Sequence, residues 1–187
     1  MDVATRARAE GTLTLVLGGT RSGKSEVAER LVGEQAGSDG EVTYVATGAI
    51  PTGTGDPLWE ARVQAHRNRR PPRWDTMELG PGRDLGAATG TLAGSVLIDS
   101  LGGWVAGLEG FRVDHERLCA DLRARVDTTG GLTVVVTEEV GLGVHPPTSI
   151  GVAFADALGL VNRRLAAVCD EVLLVVAGRV LALGGGR

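Results

Sequence analysis

The stretch of sequence that decides the fold reads Gly18-Gly19-Thr20-Arg21-Ser22-Gly23-Lys24-Ser25. It follows a short apolar run, Leu13 to Leu17, that is typical of a buried strand, and it precedes apolar residues at helical spacing. Between a strand and a helix, the pattern G-x-x-x-x-G-K-[ST] indicates a loop whose backbone N–H groups surround phosphates. The sequence therefore predicts a nucleotide-binding loop. A glycine-rich turn that binds nothing is the alternative, and it leaves this context unexplained.

Two side chains of the loop have predicted roles of their own. Lys24 is expected to neutralise the β and γ oxygens of bound ATP or GTP, and the Ser25 hydroxyl to hold Mg²⁺. Asp99 ends the apolar run Val96-Leu97-Ile98 and is expected to orient the same ion through water. For Asp99, the alternative is an ordinary aspartate in a turn at the end of a strand.

Lys24 is the only lysine among the 187 residues, and all the other basic residues that carry a full charge are arginines. The chain uses arginine wherever a cation is enough, and it has a lysine only where a compact ammonium group must fit inside a closed loop. The chain has no second lysine for the Asn-Lys-x-Asp motif with which GTPase switches recognise guanine. Outside the loop it also has no lysine that could carry a nucleotide covalently. Histidine is the natural candidate for such a nucleophile.

Composition and charge exclude several classes of protein. With 43% hydrophobic and 22% charged residues the chain has the balance of a globular protein, and its length predicts a single domain over residues 1–187, with a core of about 12–183. The net charge of −4 argues against a protein that mainly binds nucleic acid or anionic membranes. No apolar run approaches the roughly 18–20 residues that span a bilayer.

Cys119 and Cys169 are far apart in helix-like apolar patterns, which favours two reduced thiols in the core. The arginines before Leu13 faintly resemble a signal peptide, but no small-residue cleavage site follows the apolar run. We therefore expect a cytoplasmic protein.

Apolar strands alternate with helical patterns along the chain. Strands are predicted at 13–17, 42–46, 96–98, 132–136, 172–177 and 180–183, and helices at 24–36, about 58–68 and from Thr148 or Ser149 to 165. This order indicates an α/β fold in which helices cover both faces of a mostly parallel sheet.

Four further segments carry a resemblance to a known family. They are 44–47, 56–74, 139–146 and 156–172, and the most specific parts are the R-[IV]-x-x-H…R-P…W block and the E-V-G-x-G-x-x-P loop. With the phosphate loop and residues 96–99, they closely resemble the bifunctional adenosylcobinamide kinase / adenosylcobinamide-phosphate guanylyltransferase family of cobalamin biosynthesis. The resemblance covers about residues 12–183.

The resemblance implies a fold, two activities and partners. It implies a RecA-like P-loop fold and a homotrimer. The implied enzyme phosphorylates the aminopropanol hydroxyl of adenosylcobinamide with ATP or GTP. It then transfers GMP from GTP to that phosphate, which gives adenosylcobinamide-GDP and pyrophosphate. The family carries GMP on a histidine of the R-x-x-x-H block, and that position is His66 here.

The residues around His66 suit this chemistry. On a helix, Arg62 and His66 share a face, so the arginine could hold the α-phosphate while neutral imidazole attacks it in line. Arg70, with Arg69 and Arg73, adds positive charge for a triphosphate and a pyrophosphate leaving group. The alternative is a solvated basic helix with an incidental histidine.

The loop that begins at Glu139 is glycine-rich and is expected to be a shaped site loop at a strand's C-terminal end. Glu139 is a candidate for a Mg²⁺ or substrate contact, or for the base that deprotonates the substrate hydroxyl, and a structural acid is the alternative. We interpret His145 as a surface histidine, His115 as part of the first turn of a solvated helix, and the tryptophans as packing residues.

This chain departs from the family's pattern at several positions. Ala65 precedes His66 where some members have a second histidine, and Glu138 stands where many have asparagine. Val152 and Ala155 stand where the family has arginines. Two other hypotheses remain: a small-molecule P-loop kinase without guanylyl transfer, and a DNA-directed module of the RecA kind, against which the acidic balance counts.

Overall fold

A computed structural model describes residues 11–47, 61, 64 and 67–184. Within these ranges seven strands form one sheet in the order β3-β2-β4-β5-β1-β6-β7. The strands are β1 (Thr12–Gly18), β2 (Val42–Ala46), β3 (Asp75–Glu78), β4 (Ser95–Asp99), β5 (Leu132–Glu138), β6 (Glu171–Val176) and β7 (Arg179–Ala182). Neighbouring strands are parallel except β6 and β7, which form an antiparallel hairpin. The predicted mostly parallel α/β sheet is confirmed.

Helices cover both faces of the sheet, as the sequence predicts. They are α1 (Lys24–Ala36), α2 (Leu85–Thr89), α3 (Leu101–Ala106), α4 (His115–Thr129) and α5 (Ser149–Ala166), with a 3₁₀ turn at Glu109–Phe111. Side chains alternate along β1: Leu13, Leu15 and Leu17 join the core with α3, α4 and α5, whereas Val16 joins the core with α1. No helix within the described ranges combines the length and the apolar character needed to cross a bilayer.

Three elements have no clear signal in the sequence. Strand β3 reads Asp-Thr-Met-Glu, and its side chains are mostly exposed because it lies at the edge of the sheet and pairs only with β2. Helices α2 and α3 are short and glycine-containing, and each begins at a capping side chain, Asp84 or Ser100, that accepts a hydrogen bond from a backbone N–H. Tertiary contacts and caps, rather than apolar periodicity, define these elements.

Other predictions have mixed outcomes. Thr148 caps α5 and His115 begins α4, as predicted. Cys119 and Cys169 are free thiols as expected, but both are only partly buried and pack against the edge of the core. Cys169 also lies just after α5 rather than in a helix, because α5 ends at Ala166. Of the helix predicted over about 58–68, positions 61, 64, 67 and 68 are described and are helical.

Arg125 holds α4 to the sheet from the inside. It is 1% exposed, and its guanidinium donates to the Thr133 hydroxyl and to the carbonyls of Leu92 (3.2 Å) and Gly94 (2.8 Å). Burial lowers the pKa of Arg125 to about 10, since the cation is removed from water. Three neutral oxygens thus depend on one buried cation for their hydrogen bonds.

Arg125→Ala should lower the free energy of unfolding by about 3 kcal/mol, because it leaves buried acceptors without donors and opens a cavity. Urea denaturation followed by circular dichroism measures this change. Arg117→Ala on the same helix is the matched control. Its side chain is 61% exposed in its ion pair with Asp84, so we expect a change below about 0.5 kcal/mol. Equal effects of the two substitutions would contradict a structural role for Arg125.

Candidate nucleotide site

The predicted phosphate loop joins the end of β1 to the start of α1, in the arrangement that its pattern requires. A Cβ on Gly18 would lie 2.4 Å from Ser22 Oγ and 2.8 Å from the Val175 carbonyl oxygen, so only glycine fits there. Gly23 has φ 93°, which also favours glycine. The Ser22 carbonyl accepts a hydrogen bond from Gly178 N at 2.8 Å, so the turn between β6 and β7 supports the loop.

The loop presents backbone donors and one ammonium group. Gly23, the N-cap residue of α1, provides no capping side chain, and the first N–H groups of the helix are therefore available for an anion. Lys24 folds back over the loop, and its Nζ donates to the Gly19 carbonyl at 3.3 Å. Gly19, Thr20 and Arg21 are exposed, as residues that contact a nucleotide from outside would be. Their binding of phosphate, like that of Ser22 and Ser25, stays a prediction.

A carboxylate that the sequence did not assign to the site lies beside Lys24. Glu138 Oε1 is 3.7 Å from Lys24 Nζ, and Glu138 is paired with Gly18 in the register of β5 and β1. Its other oxygen, Oε2, accepts a hydrogen bond from Gly102 N at 3.1 Å, and its backbone carbonyl accepts from Asn162 Nδ2 at 2.9 Å. The available signal was its position: it ends the apolar strand that lies next to β1.

Glu139, the sequence's candidate, turns to its own loop. Its carboxylate accepts hydrogen bonds from the backbone N–H groups of Gly141 and Leu142, each at 2.9 Å. Its own N–H donates to the Gly18 carbonyl at 3.1 Å, which places the loop after β5 against the phosphate loop. Its role as a Mg²⁺ contact or base stays a prediction, and the contacts present in this structure shape the loop.

Asp99 ends β4 and is held by a buried tyrosine. The Tyr44 hydroxyl donates to Asp99 Oδ2 at 2.7 Å, and Tyr44 is 2% exposed. Burial and the neighbouring Asp99 carboxylate raise the pKa of Tyr44 well above its usual range, so the phenol remains a donor. Arg70 stacks over the Tyr44 ring, with its Cζ 3.4 Å from the ring centroid. The fold thus links Arg70 to Asp99 through one aromatic ring.

The neighbouring arginines attach their segment to α1. Arg69 bonds Glu29 at 3.2 Å, and Arg73 donates to the Gly37 carbonyl, at the end of α1, at 2.8 Å. Each of these cations already has a protein partner, and their contribution to triphosphate binding stays a prediction. Arg62 and His66 lie outside the described residues.

His145 and the described tryptophans have the positions that the sequence predicts. His145 is exposed on the loop after β5, in agreement with a surface histidine. Trp74 and Trp104 are 7% and 8% exposed, which confirms their interpretation as packing residues, and Trp59 lies outside the described residues.

The chemistry of the donors fits Mg²⁺ when nucleotide phosphates complete its shell. Within the described ranges no three His, Cys, Asp or Glu side chains are grouped so that they could hold a metal by themselves. Mg²⁺ usually takes one or two protein oxygens and obtains the others from phosphates and water. Ser25 and Asp99 carry a hydroxyl and a carboxylate of that kind, and their binding of Mg²⁺ stays a prediction.

Comparison with known proteins identifies relatives along nearly the whole chain. Residues 14–183 match the family described as cobinamide kinase / cobinamide phosphate guanyltransferase. The bifunctional adenosylcobalamin biosynthesis protein CobP of Pseudomonas aeruginosa is 34% identical over 175 residues, which cover 91% of this chain and 96% of that protein. The bifunctional adenosylcobalamin biosynthesis protein CobU of Salmonella typhimurium is 35% identical over 182 residues, covering 89% and 96%.

A solved structure supports the fold alone. The flagellar accessory protein FlaH from Methanocaldococcus jannaschii superposes with a TM-score of 0.57 at 12% identity, covering 93% of this chain and 78% of FlaH.

Proposed function

We propose a reaction sequence and a set of site residues on the premise that this chain belongs to the cobinamide kinase / cobinamide phosphate guanyltransferase family. The chain is accordingly an enzyme of cobalamin biosynthesis that acts on cobinamide and on nucleotides. In the proposed sequence, the hydroxyl of adenosylcobinamide first attacks the γ-phosphorus of ATP or GTP. The bond from that phosphorus to the β–γ bridging oxygen breaks, ADP or GDP leaves, and the hydroxyl proton is released to water. The phosphate product then receives GMP from GTP.

The observation that carries the kinase step is Lys24 folded over a phosphate loop whose helix has no side-chain cap. The loop residues 18–25 bind the triphosphate through backbone N–H groups, and Lys24 neutralises the β and γ oxygens. Ser25 and Asp99 would hold Mg²⁺, which would supply positive charge to those same oxygens.

The guanylyl step is proposed to use His66 as the nucleophile. A neutral imidazole nitrogen forms a bond to the α-phosphorus of GTP, and the bond to the bridging oxygen breaks as pyrophosphate leaves. A phosphate oxygen of the cobinamide substrate then attacks the same phosphorus, and the nitrogen–phosphorus bond breaks. Arg62 and Arg70 hold the phosphates in both halves. The family resemblance of the block around His66 and the absence of a second lysine support this assignment.

The wider assignments have separate support. A single domain over residues 1–187 is supported by the one continuous sheet of the described residues. Free thiols at Cys119 and Cys169 support a cytoplasmic location.

The family resemblance favours a homotrimer, and exposed apolar side chains on the outer hairpin, such as Leu181 at 59% exposure, could be covered by another protomer. The net charge of −4 supports a protein that does not bind nucleic acid.

Product analysis with adenosylcobinamide, with ATP and GTP offered separately, tests the proposal. We expect adenosylcobinamide phosphate with ATP, with GTP or with both. We expect adenosylcobinamide-GDP and pyrophosphate only when GTP is present. Phosphorylation of adenosylcobinamide without any adenosylcobinamide-GDP would identify a kinase without guanylyl transfer. ATP hydrolysis stimulated by DNA, without turnover of cobinamide, would identify a module of the RecA kind.

Tyr44→Phe tests the place of Asp99 in the kinase step. The substitution keeps the ring under Arg70 and removes only the hydroxyl that donates to Asp99. Because partners that orient a metal-binding carboxylate tune its affinity, we expect the Mg²⁺ concentration for half-maximal phosphoryl transfer to rise about tenfold. Titration of the kinase rate with Mg²⁺ measures it, and thermal unfolding monitors the fold. An unchanged Mg²⁺ dependence would remove the support for Asp99 as a magnesium residue.

A further inference from the structure

We infer that Glu138 is a positioning residue for Lys24, and that its carboxylate weakens the binding of nucleoside triphosphates by competing for the ammonium and repelling the γ-phosphate. The inference rests on the proposed nucleotide-binding function of the loop. Glu138 thereby takes part in setting how strongly the loop prefers ATP over ADP.

The position of the carboxylate is fixed by several contacts. Gly102 N donates to Oε2, and Asn162 anchors the backbone carbonyl from α5. Thr137 donates to Asn162 Oδ1 at 2.6 Å, so the anchoring amide is itself oriented. Gly102 leaves the necessary space, since a Cβ there would lie 2.0 Å from Oε2. The carboxylate is therefore built into the end of β5.

The partner of this carboxylate is the group that a triphosphate needs. Lys24 Nζ lies 3.7 Å from Oε1, and the two side chains are 12% and 31% exposed, so their interaction is only partly screened by water. The lysine of such a loop contacts the β- and γ-phosphates. Nucleotide binding must therefore draw Lys24 away from Glu138 or place phosphate charge close to a fixed negative charge.

The competition for Lys24 and the repulsion of the γ-phosphate both weaken the binding of ATP. Removal of the charge at position 138 removes both, so it should tighten ATP binding. The effect should be larger for ATP than for ADP, which has no γ-phosphate, and it should be reduced by Mg²⁺, which offsets phosphate charge.

Glu138→Gln is the test, because an amide oxygen can still accept the hydrogen bond from Gly102 N. Calorimetric titration of the full chain with ATP in EDTA should give a Kd about tenfold lower than for wild type, with a smaller change for ADP. The difference should shrink in high salt, as a charge effect does and a change of shape does not. Glu34→Gln, an exposed carboxylate on α1 that pairs with Arg30 away from the loop, removes the same charge as the matched control and should leave the Kd unchanged.

The outcomes separate this inference from the proposed function. If wild type binds no ATP, the nucleotide-binding proposal fails. If wild type binds ATP while Glu138→Gln binds it equally or more weakly, only the inference about Glu138 is overturned. A tighter Kd that is the same for ATP and ADP, or that is insensitive to salt, also overturns it. A Glu138 that served as base for the substrate hydroxyl would lower turnover on substitution without tightening ATP binding.

Discussion

Replacement of Lys24 by alanine should lower kcat/KM for phosphoryl transfer to cobinamide about a thousandfold, which corresponds to about 4 kcal/mol of lost transition-state stabilisation. Lys24 begins α1 and reaches back over the loop to the Gly19 carbonyl, so it is placed before the nucleotide arrives. A preorganised cation of this kind stabilises the charge that develops on the transferred phosphoryl group. No other lysine of the chain can replace it.

Lys24→Arg separates charge from shape. The guanidinium keeps the positive charge but is broader and planar, and the Lys24 side chain is only 12% exposed within the loop. We therefore expect a loss of about a hundredfold, closer to Lys24→Ala than to wild type. Steady-state rates of ADP or GDP formation measure both variants.

The control for Lys24 lies on the same helix. Arg30 forms an exposed pair with Glu34 at 3.6 Å, so Arg30→Ala removes a cation from α1 without touching the loop, and the rate should stay within about twofold of wild type. If Lys24→Ala retained a tenth of the wild-type rate, the loop could not be the phosphoryl-transfer site.

The parts of the fold that the sequence predicts are those with strong local patterns. The loop lies between an apolar strand and an amphipathic helix, and each of these signals is contained within about ten residues of Lys24. Strand β3 has no such pattern, because its pairing with β2 is through the backbone and its side chains are mostly exposed. Strand β3 therefore forms because β2 offers a free edge for pairing, and not because of a pattern in its own residues.

The site was less predictable because the order of the strands in the sheet brings together residues that are far apart in the sequence. Tyr44 and Asp99 are 55 residues apart, and they meet because β2 lies beside β4. Glu138 and Glu139 are adjacent in sequence, yet β5 ends at Glu138, so one carboxylate reaches Lys24 and the other bonds its own loop. A single residue of strand length decides this, and strand ends are the least certain part of any prediction from sequence.

His66→Ala should abolish covalent guanylylation while the kinase step survives. The chemistry requires a nucleophile that forms a nitrogen–phosphorus bond, and the only lysine is committed to the phosphate loop. Wild type incubated with GTP labelled at the α-phosphate should retain label that survives alkali and is lost in acid, as a phosphoramidate does. His66→Ala should retain none and should still phosphorylate adenosylcobinamide.

The other two histidines of the chain provide the controls that make this result specific. His145 is exposed on the loop after β5, and His115 begins α4, far along the chain from the R-x-x-x-H block. His145→Ala and His115→Ala should each retain the label at the wild-type level. Full labelling of His66→Ala, with loss of label in one of the controls, would transfer the nucleophile to that histidine. Loss of both activities in His66→Ala, together with a lowered temperature of thermal unfolding, would instead indicate a damaged fold.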